Sequence, residues 1–287
     1  IFLGQGELKN VIQVCLSNWD ALASVAAPSD SGDKKTDKKG DKKASKEAVP
    51  DEVRKALEKT LCSRTDGGDA VDLALFGRML ADKADKNIDA ACQVAHALST
   101  HRVDREFDFY TAVDDLKPED NAGADMLGTV EFNSACYYRY LNVDLSKLLE
   151  NLQNDQELVV KGLEAFLEAA IKATPTGKQN SFAAHNPPSF IAFTIRENTS
   201  PRNLSNAFAD PATAGKRSLT DCSLVKLARE WEKQDGFYGD SSTIHFWNGT
   251  ELEFEIEGSN CVSWTSCKEL VTKTVANAVS SLTSKGA

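Results

Sequence analysis

The sequence of 287 residues contains no apolar run that approaches the roughly 18 residues a membrane span needs. Its first residues, Ile1-Phe2-Leu3-Gly4, lack a basic segment followed by a cleavage site, so we expect no signal peptide. With 41% apolar residues the chain can bury a hydrophobic core. We therefore expect a globular protein of the cytoplasm without a membrane partner.

Paired cysteines are also missing. The seven cysteines are odd in number, scattered, and form no CxxC pair, whereas zinc sites and disulfide frameworks need closer or paired spacing. Reduced thiols are the expected state of Cys15, Cys62, Cys92, Cys136, Cys222, Cys261 and Cys267.

Catalytic motifs are missing as well, since no HExxH, GxSxG or glycine-rich phosphate loop occurs. Four aspartates near His96 and His101 could be drawn as a metal site. However, two histidines five residues apart lie about 140° from each other round a helix, so they would not share a face. We interpret the aspartates as an exposed acidic loop and expect no catalytic residue, metal or other cofactor; they are Asp104, Asp108, Asp114 and Asp115.

Positive charge is in short supply. Lys and Arg number 33 against 43 Asp and Glu, a net charge of -10. This balance argues against nucleic acid as a partner, because neutralising phosphates normally requires a basic excess. A local basic groove remains possible on an acidic protein, because charges are screened beyond roughly 10 Å.

Periodicity predicts an α+β fold with an antiparallel sheet. Residues 28–48 contain seven lysines and five acids but no large apolar residue, and are expected to form a solvated loop. Asn248-Gly249 between two alternating segments predicts a hairpin. Helices are predicted over 6–26, after Pro50, and over 89–99, 145–152, 156–173 and 267–282, and strands over 130–140, 189–195, 243–247 and 251–257.

Two segments have a composition that suits RNA binding, and a third lies beside an apolar run. Residues 102–111 hold three aromatics and two arginines, which suits stacking on unpaired bases, although an edge strand with its rings in the core fits equally well. Gly77-Arg78-Met79 follows an apolar, strand-like run, where a methionine is usually part of the core. Gly177-Lys178-Gln179-Asn180 forms a turn that either binds a phosphate or is simply polar.

At these segments the sequence resembles the CasC family, the backbone subunit of the type I-E Cascade complex of CRISPR defence. The likeness extends from about residue 69 to residue 208. It rests on four sequence words in one order: VDLALFGRM (71–79), AHALSTHRVDREFDFYTAVDDL (95–116), LGTVEFNSACYYRYLNVDLSKLLENL (127–152) and GKQNSFAAHNP (177–187).

The resemblance implies a non-catalytic subunit whose copies assemble along a CRISPR guide RNA, kink it at intervals and present it to target DNA beside other Cascade subunits. It implies an RRM-like, ferredoxin-like palm (69–102 and 127–287), helical fingers (1–68, with a disordered loop at 28–49) and a protruding thumb hairpin (103–126). The implied RNA-binding residues are Arg78, Met79, Arg102, Phe109, Tyr110, Thr111, Gly177, Lys178 and Gln179.

Two other functions remain open at this point. One is a metal-dependent RNA nuclease that uses Asp104, Asp108 or Asp114, and the other is a structural protein that self-associates through its aromatic stretch. The sequence also departs from the CasC pattern, because the family's first palm strand and its basic, Ser-Ser-Gln-containing helix are not recognisable here. The Lys/Asp-rich loop and the Asn-Gly hairpin are additions to that pattern.

Overall fold

The structure is a computed structural model that describes residues 4–26, 49–60, 70–81, 84–112, 126–239 and 242–283. Two compact units divide the chain, one formed by residues 1–93 with 143–163 and the other by 94–142 with 164–287. Nearly all of the predicted loop at 28–49, and residues 113–125 of the predicted thumb hairpin, lie outside the described residues. None of the described helices combines the length and apolar content that a membrane span requires.

The first unit is mainly helical. Helix α1 packs against α3, and α4 packs against α5. The N-terminus of α5 is capped by Asp144, whose carboxylate accepts a hydrogen bond from the backbone N–H of Lys147 at 3.0 Å. The helices that begin in this unit are α1 (Gln5–Ser17), α2 (Trp19–Ala26), α3 (Asp51–Thr60), α4 (Val71–Phe76), α5 (Leu145–Asn151) and α6 (Gln156–Lys172).

The single helix predicted over 6–26 is wrong, because the chain breaks at Asn18. The side chain of Asn18 donates to the carbonyl of Val14 at 2.9 Å, and such local bonds compete with the helical pattern. Leu8, Ile12, Leu16 and Trp19, which recur at helical spacing in this segment, are all exposed.

The predicted helix at 89–99 is also wrong, since the chain there forms β1 (Cys92–Val94) and β2 (Leu98–Ser99). Strand β2 pairs antiparallel with β5 (Tyr137–Tyr138). The predicted long strand over 130–140 is likewise interrupted, with β4 (Met126–Phe132) before β5 and β6 (Leu141–Val143) after it. Pairing between segments about forty residues apart therefore overrides the local helical periodicity.

The second unit contains a separate two-stranded ribbon. Strand β3 (Glu106–Ala112) pairs antiparallel with β4, in a register that runs from Glu106 opposite Phe132 to Ala112 opposite Met126. Each strand has seven residues and neither has a second neighbour in a sheet among the described residues.

The core of the second unit lies around the sheet β7 (Phe190–Ile195), β8 (Thr243–Asn248) and β9 (Asn260–Ser263), in the order β7-β8-β9. Helices α8 (Leu219–Tyr238) and α9 (Cys267–Thr283) complete the unit, together with the short helix α7 (Gln179–Phe182). Helix α8 was not predicted. The buried cluster consists of Leu204, Leu224, Trp231, Ile244, Phe246, Phe254 and Ile256.

The prediction of a hairpin at Asn248-Gly249 is wrong. Strand β8 pairs antiparallel with β7 and parallel with β9, and residues 251–257 form no strand. The amide of Asn248 instead closes a local turn: its oxygen accepts from the N–H of Thr250 at 2.9 Å, and its nitrogen donates to the carbonyl of Leu252 at 2.6 Å. The α+β class is confirmed, but its three-stranded sheet is mixed rather than purely antiparallel.

Candidate functional site

The ribbon β3–β4 exposes aromatic rings on both of its faces. Successive side chains of a strand alternate, so Phe107, Phe109 and Thr111 share one face while Tyr110 lies on the other. The exposed fractions are 58% for Phe107, 68% for Phe109 and 46% for Tyr110. The sequence allowed these rings to lie either in the core or at the surface, and in the structure they lie at the surface.

Partners on β4 complete these two faces. Leu127, Thr129 and Glu131 lie opposite Thr111, Phe109 and Phe107, and all six are exposed; we call these six residues the outer face. On the second face, the ring of Tyr110 lies against Gly128. The sequence did not indicate Leu127 or Thr129, because the cross-strand register that places them beside the aromatic residues cannot be derived from one strand alone.

Thr100 and His101 fix the end of the ribbon at which β3 begins and β4 ends, which we call its root. The N–H of Thr100 donates to the carbonyl of Cys136 at 2.9 Å, and the N–H of Cys136 donates to Nε2 of His101 at 3.1 Å. Because Nε2 is an acceptor, the proton is on Nδ1, which donates to the carbonyl of Arg102 at 2.7 Å. Both nitrogens of His101 are therefore used to fix the chain on either side of the ribbon.

Two arginines lie close to this root. Nε of Arg102 is 3.7 Å from Asp104, and Nη1 of Arg105 is 3.3 Å from Glu131 across the ribbon. All four side chains are at least half exposed. Exposed ion pairs contribute only about 0–1 kcal/mol, so both guanidinium groups can exchange a carboxylate for a phosphate at little cost.

The turn at Gly177, Lys178 and Gln179 is exposed and lies near the same end of the ribbon. Lys178 (φ 52) and Ala183 (φ 44) are both in the left-handed region, which is unfavourable for residues with a Cβ atom. Nζ of Lys178 lies 5.9 Å from the ring centroid of Phe182, and Phe182 stacks on Phe132 with centroids 5.2 Å apart. Since Phe132 is the last residue of β4, this ring stack brings the turn into contact with the ribbon.

Met79 belongs to the first unit and is 87% exposed. Gly77 precedes it with φ 73, and a Cβ atom there would come within 2.6 Å of the carbonyl oxygen of Ile88, so only glycine fits. The backbone of Arg78 is fixed by reciprocal hydrogen bonds with Ile88 of 2.8 and 2.9 Å. The residues before Gly77 form helix α4, which corrects the strand-like interpretation.

Arg78 requires a correction, because its side chain points inward. Only 9% of Arg78 and 4% of Glu7 are exposed, and Nη1 of Arg78 lies 2.9 and 2.8 Å from the two carboxylate oxygens of Glu7. Nη2 is directed at the carbonyl of Lys86. A guanidinium held in this way does not face a ligand at the surface, so Arg78 supports the position of Met79 instead.

The acidic residues do not form a metal site in the part of the chain that the structure describes. No three His, Cys, Asp or Glu side chains come together there in a group that could hold an ion. Asp104 and Asp108 are exposed, while Asp114 lies outside the described residues. His101, the histidine closest in sequence to Asp104, has both ring nitrogens engaged by backbone groups.

The sequence pattern of the CT1975-like protein family matches residues 1–273. This chain is a member of the CT1975-like family. Among curated proteins, none matches the CT1975-like chain.

Two solved structures resemble the CT1975-like chain over most of its length. The first is a chain of a CRISPR RNA-guided surveillance complex in a pre-nicking state, with 27% identity and a TM-score of 0.64 over 92% of this chain and 71% of the other. The second is a chain of a CRISPR RNA-guided surveillance complex, with 28% identity and a TM-score of 0.62 over 78% of this chain and 84% of the other.

Proposed function

We propose that this CT1975-like chain is a non-catalytic backbone subunit of a type I-E Cascade complex, of the CasC kind, that binds a CRISPR guide RNA. The observation that carries the proposal is the ribbon β3–β4, whose exposed rings stand beside the exposed Lys178 turn. The family match and the two related surveillance-complex chains support it.

Each part of the site has a role in holding a single strand. Aromatic side chains such as Phe109 and Tyr110 stack on bases of any sequence, at about 1–3 kcal/mol per base. Arg102, Lys178 and the backbone of Gly177 and Gln179 contact phosphates, which fixes the strand without reading its sequence. Most base edges stay free, so the guide itself pairs with target DNA.

The net charge of -10 is compatible with this role because the proposed contacts are local. Arg102, Arg105 and Lys178 lie within the second unit, where their charges act on a phosphate over the roughly 10 Å that salt leaves unscreened. An acidic body with a few cations at one strand-binding surface binds RNA there and repels it elsewhere.

Repetition would supply the affinity that one subunit lacks. In the proposed assembly, copies bind successive parts of one guide in the cytoplasm, together with other Cascade subunits, and the linkage between copies raises the effective affinity. Met79, exposed and conformationally adaptable, wedges against bases where the guide bends between copies. The RRM-like palm, the fingers and the thumb are parts of this proposal, with the ribbon as the thumb.

Replacing both Phe109 and Tyr110 by alanine tests the proposal. We expect a folded protein, judged by circular dichroism, whose ratio of absorbance at 260 and 280 nm shows loss of co-purifying RNA. The matched control replaces Phe237 and Tyr238 by alanine, an aromatic pair at the end of α8 that is more exposed still, and should keep its RNA.

Two outcomes would argue against RNA binding through the ribbon. One is full RNA retention in the Phe109/Tyr110 variant, and the other is equal loss in both double variants. Filaments that persist after nuclease treatment of the wild type would instead favour self-association through the aromatic stretch.

A further inference from the structure

The position of the Lys178 ammonium group depends on its contact with the ring of Phe182. The carbonyl of Lys178 accepts hydrogen bonds from the N–H groups of Ser181 and Phe182, both at 3.0 Å, and these two bonds form a single helical turn. This backbone leaves the long lysine side chain free to rotate about its four-carbon stem. The ammonium nevertheless lies over the Phe182 ring at 5.9 Å from its centroid, within range of a cation–π contact.

Phe182 is in turn fixed by the ribbon. Its ring stacks on Phe132 at an interplanar angle of 29°, and Phe132 is the last residue of β4, opposite Glu106. Phe132 shares the second face of the ribbon with Tyr110, because the two positions have the same parity in the register. An unbroken series of contacts therefore leads from the ammonium through two rings to the strand opposite the aromatic residues of β3.

We infer that Phe182 is a positioning residue of the RNA site, which holds the Lys178 ammonium at a fixed distance from the stacking surface of the ribbon. This inference rests on the proposed function. A phosphate bound by Lys178 then has a set separation from a base stacked on the ribbon, so the two contacts act on one strand together. Phe182 was not among the residues that the sequence indicated.

The test measures the salt dependence of binding to a fluorescein-labelled single-stranded RNA oligonucleotide by fluorescence anisotropy. Loss of one phosphate contact makes the plot of log affinity against log salt shallower by about 0.7. We expect this change for Lys178→Ala and most of it for Phe182→Leu, which keeps apolar bulk but removes the ring. Affinity at low salt should fall about two- to five-fold in Phe182→Leu, the range of an exposed cation–π contact.

Restoring the ring should restore the slope. Phe182→Trp preserves a cation–π surface and is expected to give the wild-type salt dependence. Phe208→Leu is the matched control, since Phe208 is a half-buried ring paired with Tyr138 at 5.4 Å elsewhere in the same unit. If Phe182→Leu does not fold, Phe132→Leu removes the other half of the stack and should produce the same shallower slope.

The outcomes separate this inference from the proposed function. If Lys178→Ala flattens the slope while Phe182→Leu or Phe132→Leu lowers only the melting temperature, the positioning role is wrong and RNA binding stands. If the wild type does not bind the oligonucleotide, or Lys178→Ala leaves the slope unchanged, the assignment of Lys178 to the RNA site fails first.

Discussion

The ring of Tyr110 lies directly across the backbone of Gly128. A Cβ atom built on Gly128 would stand 2.5 Å from Cζ of that ring and 2.6 Å from its hydroxyl oxygen, closer than non-bonded atoms approach. The two residues are opposite each other in the register of β3 and β4. Gly128 is required here for space rather than for its backbone conformation, because its φ is not positive.

Gly128→Val should therefore displace the Tyr110 ring from the second face and reduce RNA retention. We expect the ratio of absorbance at 260 and 280 nm of the purified protein to fall, while its far-ultraviolet circular dichroism is unchanged. Gly215→Ala is the control, because a Cβ atom at Gly215 meets nothing within 4 Å. Wild-type RNA content in Gly128→Val would show that the place of the Tyr110 ring does not matter for binding.

Substitution of the neighbours Arg78 and Met79 should change the free energy of unfolding by very different amounts. Arg78→Met leaves the Glu7 carboxylate buried without its positively charged partner, which is expected to lower the free energy of unfolding by about 3–5 kcal/mol. Met79→Ala removes an exposed side chain and should change it by less than about 0.5 kcal/mol. Urea denaturation followed by circular dichroism measures both effects.

The control for this pair is the double variant Glu7→Met with Arg78→Met. Replacing both charges by apolar groups removes the unpaired carboxylate, so its stability should exceed that of Arg78→Met alone. Equal stability of Met79→Ala and Arg78→Met would contradict the assignment of Arg78 to a buried ion pair.

The nuclease alternative is tested by replacing Asp104 and Asp108 with asparagine. Because both carboxylates are exposed and the described residues form no metal cluster, we expect unchanged RNA retention and no change in cleavage of a labelled RNA in Mg²⁺ or Mn²⁺. Metal-dependent cleavage by the wild type that disappears in this double variant would favour the nuclease.

The stability of the second unit should depend on pH through His245. This residue is buried, Nε1 of Trp264 donates to its Nδ1 at 2.9 Å, and burial lowers the pKa of the imidazole. The unfolded chain, with a histidine pKa of about 6.5, then binds more protons than the folded chain between the lowered pKa and that value. The His245 contribution is therefore complete above about pH 6.5 and is lost as pH falls toward the lowered pKa.

His245→Gln should remove this acid-side loss from the free energy of unfolding, measured by urea denaturation across the same pH range. His96→Gln is the control, since His96 is exposed and should leave the wild-type pH dependence intact. An identical pH profile for wild type and His245→Gln would mean that protonation of His245 is not coupled to unfolding.

Local pattern was enough for the elements that bury one continuous apolar stripe. Helix α6 has Val159, Leu163 and Leu167 buried at helical spacing, and it lies within one residue of its predicted bounds. The sequence could not place Cys92–Val94 in a strand, because only its distant partners distinguish that segment from a helix. Helix α8 escaped prediction since two of its four buried residues, Ser223 and Asp235, are polar.

The candidate site shows the same division. Composition left the segments that contain Phe109, Tyr110 and Lys178 open between two interpretations, and only the resemblance to the CasC family singled these residues out. The structure describes all three as exposed. The role of Arg78 was misjudged, since an arginine beside an exposed methionine gives no sign of the buried Glu7 that is 71 residues away in sequence. The sequence did not indicate Phe182, because its inferred role depends on a ring stack with Phe132, fifty positions earlier in the chain.

The ribbon β3–β4 should differ from the core of the second unit in the rate at which its amide hydrogens exchange. Two strands without a third are only marginally stable alone, so their amide hydrogens can exchange with solvent through small local openings. Amides of β8, where Ile244 and Phe246 are buried, should exchange only when much of the second unit opens. A ligand that covers the ribbon can thus slow its exchange by orders of magnitude while the surrounding core keeps its own rate.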